Sequence, residues 1–188
     1  MLNFRNLTKK GHHAFLVLVL FLLNIAYAGN FTLLSDEVGG QFNIKQEFNG
    51  FGCSGQNKSP SLRWKEAPEN TKSFAITMYD PDAPTGSGWW HWIVYNIPAN
   101  TISIASNASA LGLLPKGSVE SPTSYGVSGF GGACPPKGDK AHRYIITLYA
   151  LDVEKLNLGK NPTPALVGYN LNAHAIKKSS IIAYYGRK

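Results

Sequence analysis

Residues 80–92 read Asp80-Pro81-Asp82-Ala83-Pro84-Thr85-Gly86-Ser87-Gly88-Trp89-Trp90-His91-Trp92. Before them, residues 73–79 set Phe74, Ile76 and Met78 against Ala75, Thr77 and Tyr79, the two-residue period of a half-buried strand. After them, residues 92–97 form a second apolar strand that ends at Pro98. A plain hairpin needs only about two to five polar residues in its connection. This one carries carboxylates, prolines, glycines, tryptophans and a histidine between two strands. That composition predicts a pocket wall; the competing explanation is a rigid loop whose tryptophans patch the core.

The remaining strands follow from the same pattern. Residues 31–34 and 42–45 are expected as short strands around a Gly39-Gly40 turn, and residues 61–64 and 101–104 as two more. Residues 107–140 have no sustained period and are rich in Gly, Pro and Ser, which marks either a functional stretch or one whose elements the pattern fails to assign. Residues 144–151 suit a central strand, 154–158 a helical turn and 180–185 a last strand. One helix is predicted near the C-terminus: Thr163 caps it, Pro164 opens it, and Leu166, Tyr169, Ala173 and Ile176 repeat at helical spacing, with Lys177 and Lys178 in its last turn. The chain is therefore expected to be mainly β, a sandwich with one or two peripheral helices.

The first 28 residues read as a signal peptide. Arg5, Lys9 and Lys10 precede the apolar run 14–23, which is too short to span a bilayer, and Ala26-Tyr27-Ala28 supplies small residues for cleavage after Ala28. This predicts a periplasmic or secreted protein, residues 29–188, folded as one domain with no retained membrane span. Removing the leader leaves 15 of the 18 Lys+Arg against 11 Asp+Glu and lowers the formal charge from +7 to +4. Those charges are scattered, with no basic stripe, which excludes nucleic acid as the expected partner. Cys53 and Cys134, the only cysteines, are expected to form a disulfide in an oxidising compartment. Closing so long a loop is worth roughly 4 kcal/mol in the chain-entropy model.

Three histidines lie beyond the leader: His91, His142 and His174. His142 stands two residues before Tyr144 on a strand end, so both point to one side. Asp80 and His91 flank the first loop, and all four groups can converge at one sheet edge. His174, on the predicted helix, is expected to be interfacial.

These residues carry a family resemblance. Asp80-Pro81-Asp82-Ala83-Pro84, Trp90-His91-Trp92, and Pro135-Pro136-Lys137-Gly138 followed by His142-Arg143-Tyr144 resemble the phosphatidylethanolamine-binding proteins, also called Raf-kinase-inhibitor-like proteins, in their bacterial YbhB/YbcL-like branch. The likeness covers residues 31–187 and extends to Asn57-Lys58-Ser59-Pro60. It implies a β-sandwich with a small anion pocket formed by Asp80, His91, His142 and Tyr144, with Pro135, Pro136 and Gly132 shaping the rim. It also implies a cis bond at Ala83–Pro84, and X-Pro is the affordable place for one. The expected ligand is a phosphate-bearing small molecule or lipid head group, clamped by imidazole N–H groups, the Tyr144 hydroxyl and backbone N–H groups of residues 129–132. No cofactor is implied. The segment 85–89 is short beside longer-looped members of the family, which implies an open or differently shaped mouth.

Other functions fit less well. A hydrolase using Asp80 and His91 needs a nucleophile; no Gly-x-Ser-x-Gly elbow is present, and Ser54, Ser87 and Ser128 are candidates only as loop residues. Zinc on Asp80, His91 and His142 lacks ligands at close spacing. The alternative function that the resemblance implies is an exported inhibitor of a protease or signalling protein acting through surface loops, and the chain is expected as monomer or homodimer. The leader is directly testable. The intact mass of exported protein is expected to begin at Gly29, and a mass retaining residues 1–28 refutes cleavage.

Overall fold

The structure, a computed structural model, describes residues 29–188; the predicted signal peptide lies outside the described residues. In chain order the elements are β1 (Thr32–Leu34), β2 (Asn49–Gly50), β3 (Cys53–Ser54), β4 (Leu62–Lys65), β5 (Ser73–Asp80), β6 (Trp89–Pro98), β7 (Ser103–Ile104), α1 (Ala108–Leu111), β8 (Val119–Glu120), β9 (His142–Leu151), α2 (Pro164–His174) and β10 (Ala175–Tyr185). Five strands make an antiparallel sheet in the order β10-β9-β5-β6-β8, and β1-β4-β7 form a smaller sheet. The described residues are mainly β, with two helices.

Alternation along the strands sends side chains to two cores. Phe74, Ile76 and Met78 of β5 join Trp92, Val94, Tyr144, Ile146 and Leu148 against Leu33, Leu62, Trp64 and Ile104 of the small sheet. On the opposite face Ala75, Ile93, Tyr95, Tyr149 and Leu151 pack against Val167 and Leu171 of α2. Strand β5 is thus covered on both sides, not half-buried: Ala75 and Thr77, small enough to lie on the helix-covered face, are also buried.

Local chemistry explains where the elements depart from the sequence pattern. Residues 42–45 form a turn: Asn43 Oδ1 accepts from the Lys45 N–H at 2.9 Å and the Asn43 carbonyl accepts from Gln46 and Glu47, an Asx arrangement that competes with extension. Phe42 still reaches the core, its ring 5.5 Å from Tyr144. Residues 154–158 are not helical, whereas the single turn α1 falls inside the stretch without a period. In α2 the Thr163 hydroxyl accepts from Leu166 N, as the capping pattern predicts. The buried face, however, is Val167 and Leu171, while Leu166 and Tyr169 face outward. Gly168 rests on the Trp90 ring, where a Cβ would stand 3.5 Å away. Ile176, Lys177 and Lys178 leave the helix for β10, pulled into register with β9 at Lys177–Ala150 and Lys178–Tyr149.

The three tryptophans of the opening segment point three ways. The β5–β6 ladder pairs Tyr79 with Trp90 and Met78 with Trp92, so His91 is an extra residue in a bulge. Trp92 is fully buried in the core and donates through Nε1 to Glu120 at 2.7 Å. Trp90 faces α2, and Trp89 is directed to the sheet end. The helix assignment has a direct check: Leu171→Ala is expected to cost about 2–5 kcal/mol in urea unfolding, and Leu166→Ala less than about 0.5 kcal/mol. The opposite order would refute the buried face.

Candidate functional site

Asp80 is the last residue of β5 and His142 the first of its neighbour β9. The Asp80 Oδ2 accepts from His142 Nδ1 at 2.8 Å, and both side chains are buried. The other carboxylate oxygen accepts from the Asp82 N–H at 2.8 Å, an Asx turn that starts the loop. Asp82 then receives three donors from Arg143, the backbone N–H, Nε and Nη2, at 2.8–2.9 Å. These bonds hold the Asp82 carboxyl well below the usual carboxylate range. The two sequence motifs are therefore joined twice, Asp80 to His142 and Asp82 to Arg143.

The described residues contain no cis peptide bond, so Ala83–Pro84 is trans, contrary to the expectation from the family. The loop turns by another route. The Thr85 N–H donates to the Ala83 carbonyl at 2.8 Å, a three-residue turn whose centre is Pro84, where the ring presets the required φ.

His91 is held from behind. Its Nδ1 faces the carbonyls of Gly131 at 2.8 Å and Gly132 at 3.1 Å, which fixes the proton on that nitrogen. The Gly131 N–H in turn donates to the His91 carbonyl. Gly132 therefore positions His91 instead of shaping the rim. A Cβ there would meet the Gln46 carbonyl oxygen at 2.2 Å, so only glycine allows the approach. Tyr125, from the stretch without a period, donates to the Gly132 carbonyl at 2.9 Å.

Asp80, His91, His142 and Tyr144 form one end of a cavity of about 170 Å³. Trp89, Tyr125 and Phe51 wall it, and Ala83, Pro84, Thr85, Cys134, Pro135 and Pro136 complete it. Cys134 is bonded to Cys53, with Cα atoms 6.0 Å apart, and Arg187 spans the same junction through donations to the Pro135 and Gly52 carbonyls at 2.7 and 2.9 Å. Ser54, Ser87 and Ser128 are not among the lining residues. His174 lies apart, its Nδ1 2.9 Å from Asp152. Such a volume suits a small ion or head group and falls below the about 300–1,000 Å³ of pockets that enclose drug-sized ligands.

The electrostatics separate the two histidines. Burial pushes His91 down to about 4, against the opposing pull of its Gly131 hydrogen bond. It is a neutral ring whose Nε2 is a hydrogen-bond acceptor. Burial also works against charge on His142, but its hydrogen bonds to Asp80 and to Asp139, the latter at 3.3 Å, prevail and raise its pKa. Burial, reinforced by Asp80, holds the Tyr144 phenol well above its ordinary value, so it remains a hydroxyl. His91 Nε2 and Tyr144 Oη are buried and have no partner within the protein. The expected clamp of imidazole N–H donors is thus not what the pocket presents. Both His142 nitrogens face carboxylates, and the His91 N–H is occupied by carbonyls. Asp139, Asp82 and Tyr125 are the contributors that sequence patterns left unassigned; Tyr125 had no periodic signal at all.

Comparison with known proteins places this geometry. The family model for phosphatidylethanolamine-binding protein matches residues 38–186. The chain belongs to the phosphatidylethanolamine-binding protein family. Among curated members, the Escherichia coli UPF0098 protein YbcL is 49% identical over 169 residues, covering 88% of this chain and 92% of YbcL. The E. coli protein YbhB is 44% identical over 156 residues, covering 81% and 98%. The crystal structure of E. coli YbcL, described as a new member of the mammalian family, superposes with a TM-score of 0.82 over 85% of this chain and all of that one. A Chlamydia trachomatis homologue is 27% identical, with a TM-score of 0.70 over 84% of this chain and 98% of its own.

The histidines also set opposite stability slopes. The folded pKa of His142 lies above its unfolded value of about 6.5, so its contribution is full below that pH and fades as pH rises through the folded pKa. His91 has a depressed folded pKa, so its contribution is present above about pH 6.5 and is lost as pH falls to about 4, an effect of about 3 kcal/mol. Urea unfolding across this range is expected to show a shallower acid-side loss in His91→Gln and a flatter alkaline side in His142→Gln. Profiles parallel to wild type in both variants would refute these assignments.

Proposed function

We propose that this chain is an exported, non-enzymatic binding protein whose pocket takes a phosphate-bearing group, a small ester or a lipid head group, that brings a hydrogen-bond donor of its own. The observation that carries this is the pair of unpartnered buried atoms, His91 Nε2 and Tyr144 Oη, in the cavity beside Asp80. A fully ionised phosphate offers only acceptors and leaves His91 Nε2 unmet beside a carboxylate. A monoprotonated monoester supplies what is missing: its P–OH donates to His91 Nε2 while a phosphoryl oxygen accepts from the Tyr144 hydroxyl. The second phosphate pKa is about 6, so this species grows in mildly acidic solution. The positive charge of His142 grows in the same direction.

Binding is favoured over hydrolysis by the hydroxyls available. Thr85 Oγ1 is spent on the Gly88 carbonyl at 2.6 Å, and the Asp80–His142 pair has no lining serine beside it. The family name supports a phosphatidylethanolamine-type head group as one form of the ligand; its diester carries no P–OH in this pH range, so there the ammonium supplies the donor to His91 Nε2. The leader supports export, and with it a disulfide-permissive setting for Cys53 and Cys134.

Calorimetry with phosphoethanolamine tests this. Binding is expected to be tighter in mildly acidic buffer than near pH 8, and Tyr144→Phe to weaken it by about ten- to a hundred-fold, the worth of one hydrogen bond to a charged group. Asp80→Ala and His142→Ala are expected to lose the response. Affinity independent of pH removes the shared proton; no binding at any pH removes the anion pocket.

A further inference from the structure

The loop of the β2–β3 hairpin is Phe51-Gly52, and both residues have positive φ, 52° and 79°. A two-residue turn of this kind favours Asn-Gly, Asp-Gly or Gly-Gly, because its first position is left-handed. Here that position holds a phenyl side chain, which pays the steric cost of φ 52° without the recompense of burial, being 72% exposed. Its ring lies 5.6 Å from Phe48 and 5.7 Å from Tyr125, and Tyr125 lies 5.3 Å from Trp89. Phe51, Tyr125 and Trp89 all line the cavity that holds Asp80, His91 and Tyr144. Two cross-links hold this lip in place, the Cys53–Cys134 disulfide and the Arg187 donation to Gly52.

We infer that Phe51 is a specificity-determining residue: it forms an apolar lip that selects phosphate groups bearing an apolar substituent over inorganic phosphate. This deepens the phosphate reading of the pocket and rests on it. The polar end holds the phosphoryl group through His91 and Tyr144, and the aromatic wall covers the first carbons of what the phosphate is attached to. The 170 Å³ cavity has room for the head alone, so the substituent runs out over Phe51. A soluble ester and a lipid head group share the phosphoryl oxygen that accepts from Tyr144 and the carbons beyond it; the donor to His91 is the P–OH of the first and the ammonium of the second.

The test is calorimetric titration of wild type and Phe51→Asn with inorganic phosphate and phenyl phosphate, alongside thermal unfolding of both proteins. Asparagine suits the left-handed turn position, so Phe51→Asn is expected to be at least as stable as wild type. Wild type is expected to favour phenyl phosphate by about three- to ten-fold, the usual worth of an aromatic contact. Phe51→Asn is expected to lose that preference, the ratio of its two affinities falling to about one. Sedimentation with vesicles of phosphatidylethanolamine and phosphatidylcholine assigns the source. Phe51-dependent pelleting supports the lipid form; phenyl phosphate selectivity without pelleting supports the soluble-ester form. An equal preference in both proteins, or a Phe51→Asn protein of lower melting temperature, overturns the lip. If neither phosphate compound binds wild type, the phosphate reading fails first and the lip inference falls with it.

Discussion

A carboxylate and an imidazole buried together between β5 and β9 set the arrangement of everything at this end of the sheet. The contact between Asp80 and His142 uses one carboxylate oxygen; the other anchors the following loop through Asp82. Removing one partner of a buried pair generally costs about 3–5 kcal/mol, because the remaining group is left desolvated and alone. The pair itself adds little net stability by the same reasoning. What it supplies is position. With Asp82 bonded to Arg143 one residue along β9, the loop entering the site is fixed to the neighbouring strand at two points.

That arrangement makes the pocket an acceptor-rich space despite its two histidines. Ring nitrogens that would serve an anion are turned toward carboxylates and carbonyls, and the atoms left over are a lone pair and a hydroxyl. Selectivity in such a site comes from protons on the ligand, since an unpaired buried acceptor is expensive and a matching donor removes the expense. The walls act differently. They are aromatic and proline-rich, fixed by a disulfide and a guanidinium bridging the same two segments, and they supply shape with little directional bonding.

Much of this was readable from residues alone, for identifiable reasons. The two-residue period of β5 and the β-rich run of β9 make the central strands visible, and Asp80, His91, His142 and Tyr144 stand at their ends. The mainly β architecture follows from the same patterns. Residues 42–45 looked like a strand because Phe42 and Ile44 alternate, but the Asn43 side chain captures the backbone in a turn. The helix presented two acceptable apolar spacings, and only packing beneath it selects Val167 and Leu171 over Leu166 and Tyr169. Tyr125, Asp139 and Phe51 were invisible as site residues because they sit in loops, where spacing carries no information about direction. Which nitrogen of His91 bears the proton depends on two carbonyls forty residues away, beyond the reach of any local pattern.

The bulge at His91 ties strand length to chemistry. Because one residue of β6 stands outside the ladder, Trp89 faces the cavity, Trp90 the helix and Trp92 the core within four positions. Deleting Trp90 would bring Trp89 round to the α2 side and strip the cavity of that wall, whereas deleting His91 would close the bulge and leave Trp89 and Trp90 on their present sides, at the loss of the imidazole. Substitution in this strand is a local event, whereas loss of the Trp90 codon rewrites which side of the sheet is chemical. The neighbouring turn at residues 85–88 lies outside that ladder, closed by Thr85 on the Gly88 carbonyl and Tyr79 on the Ser87 carbonyl, so a change of length there would widen or narrow the entrance while Asp80 and His91 keep their places.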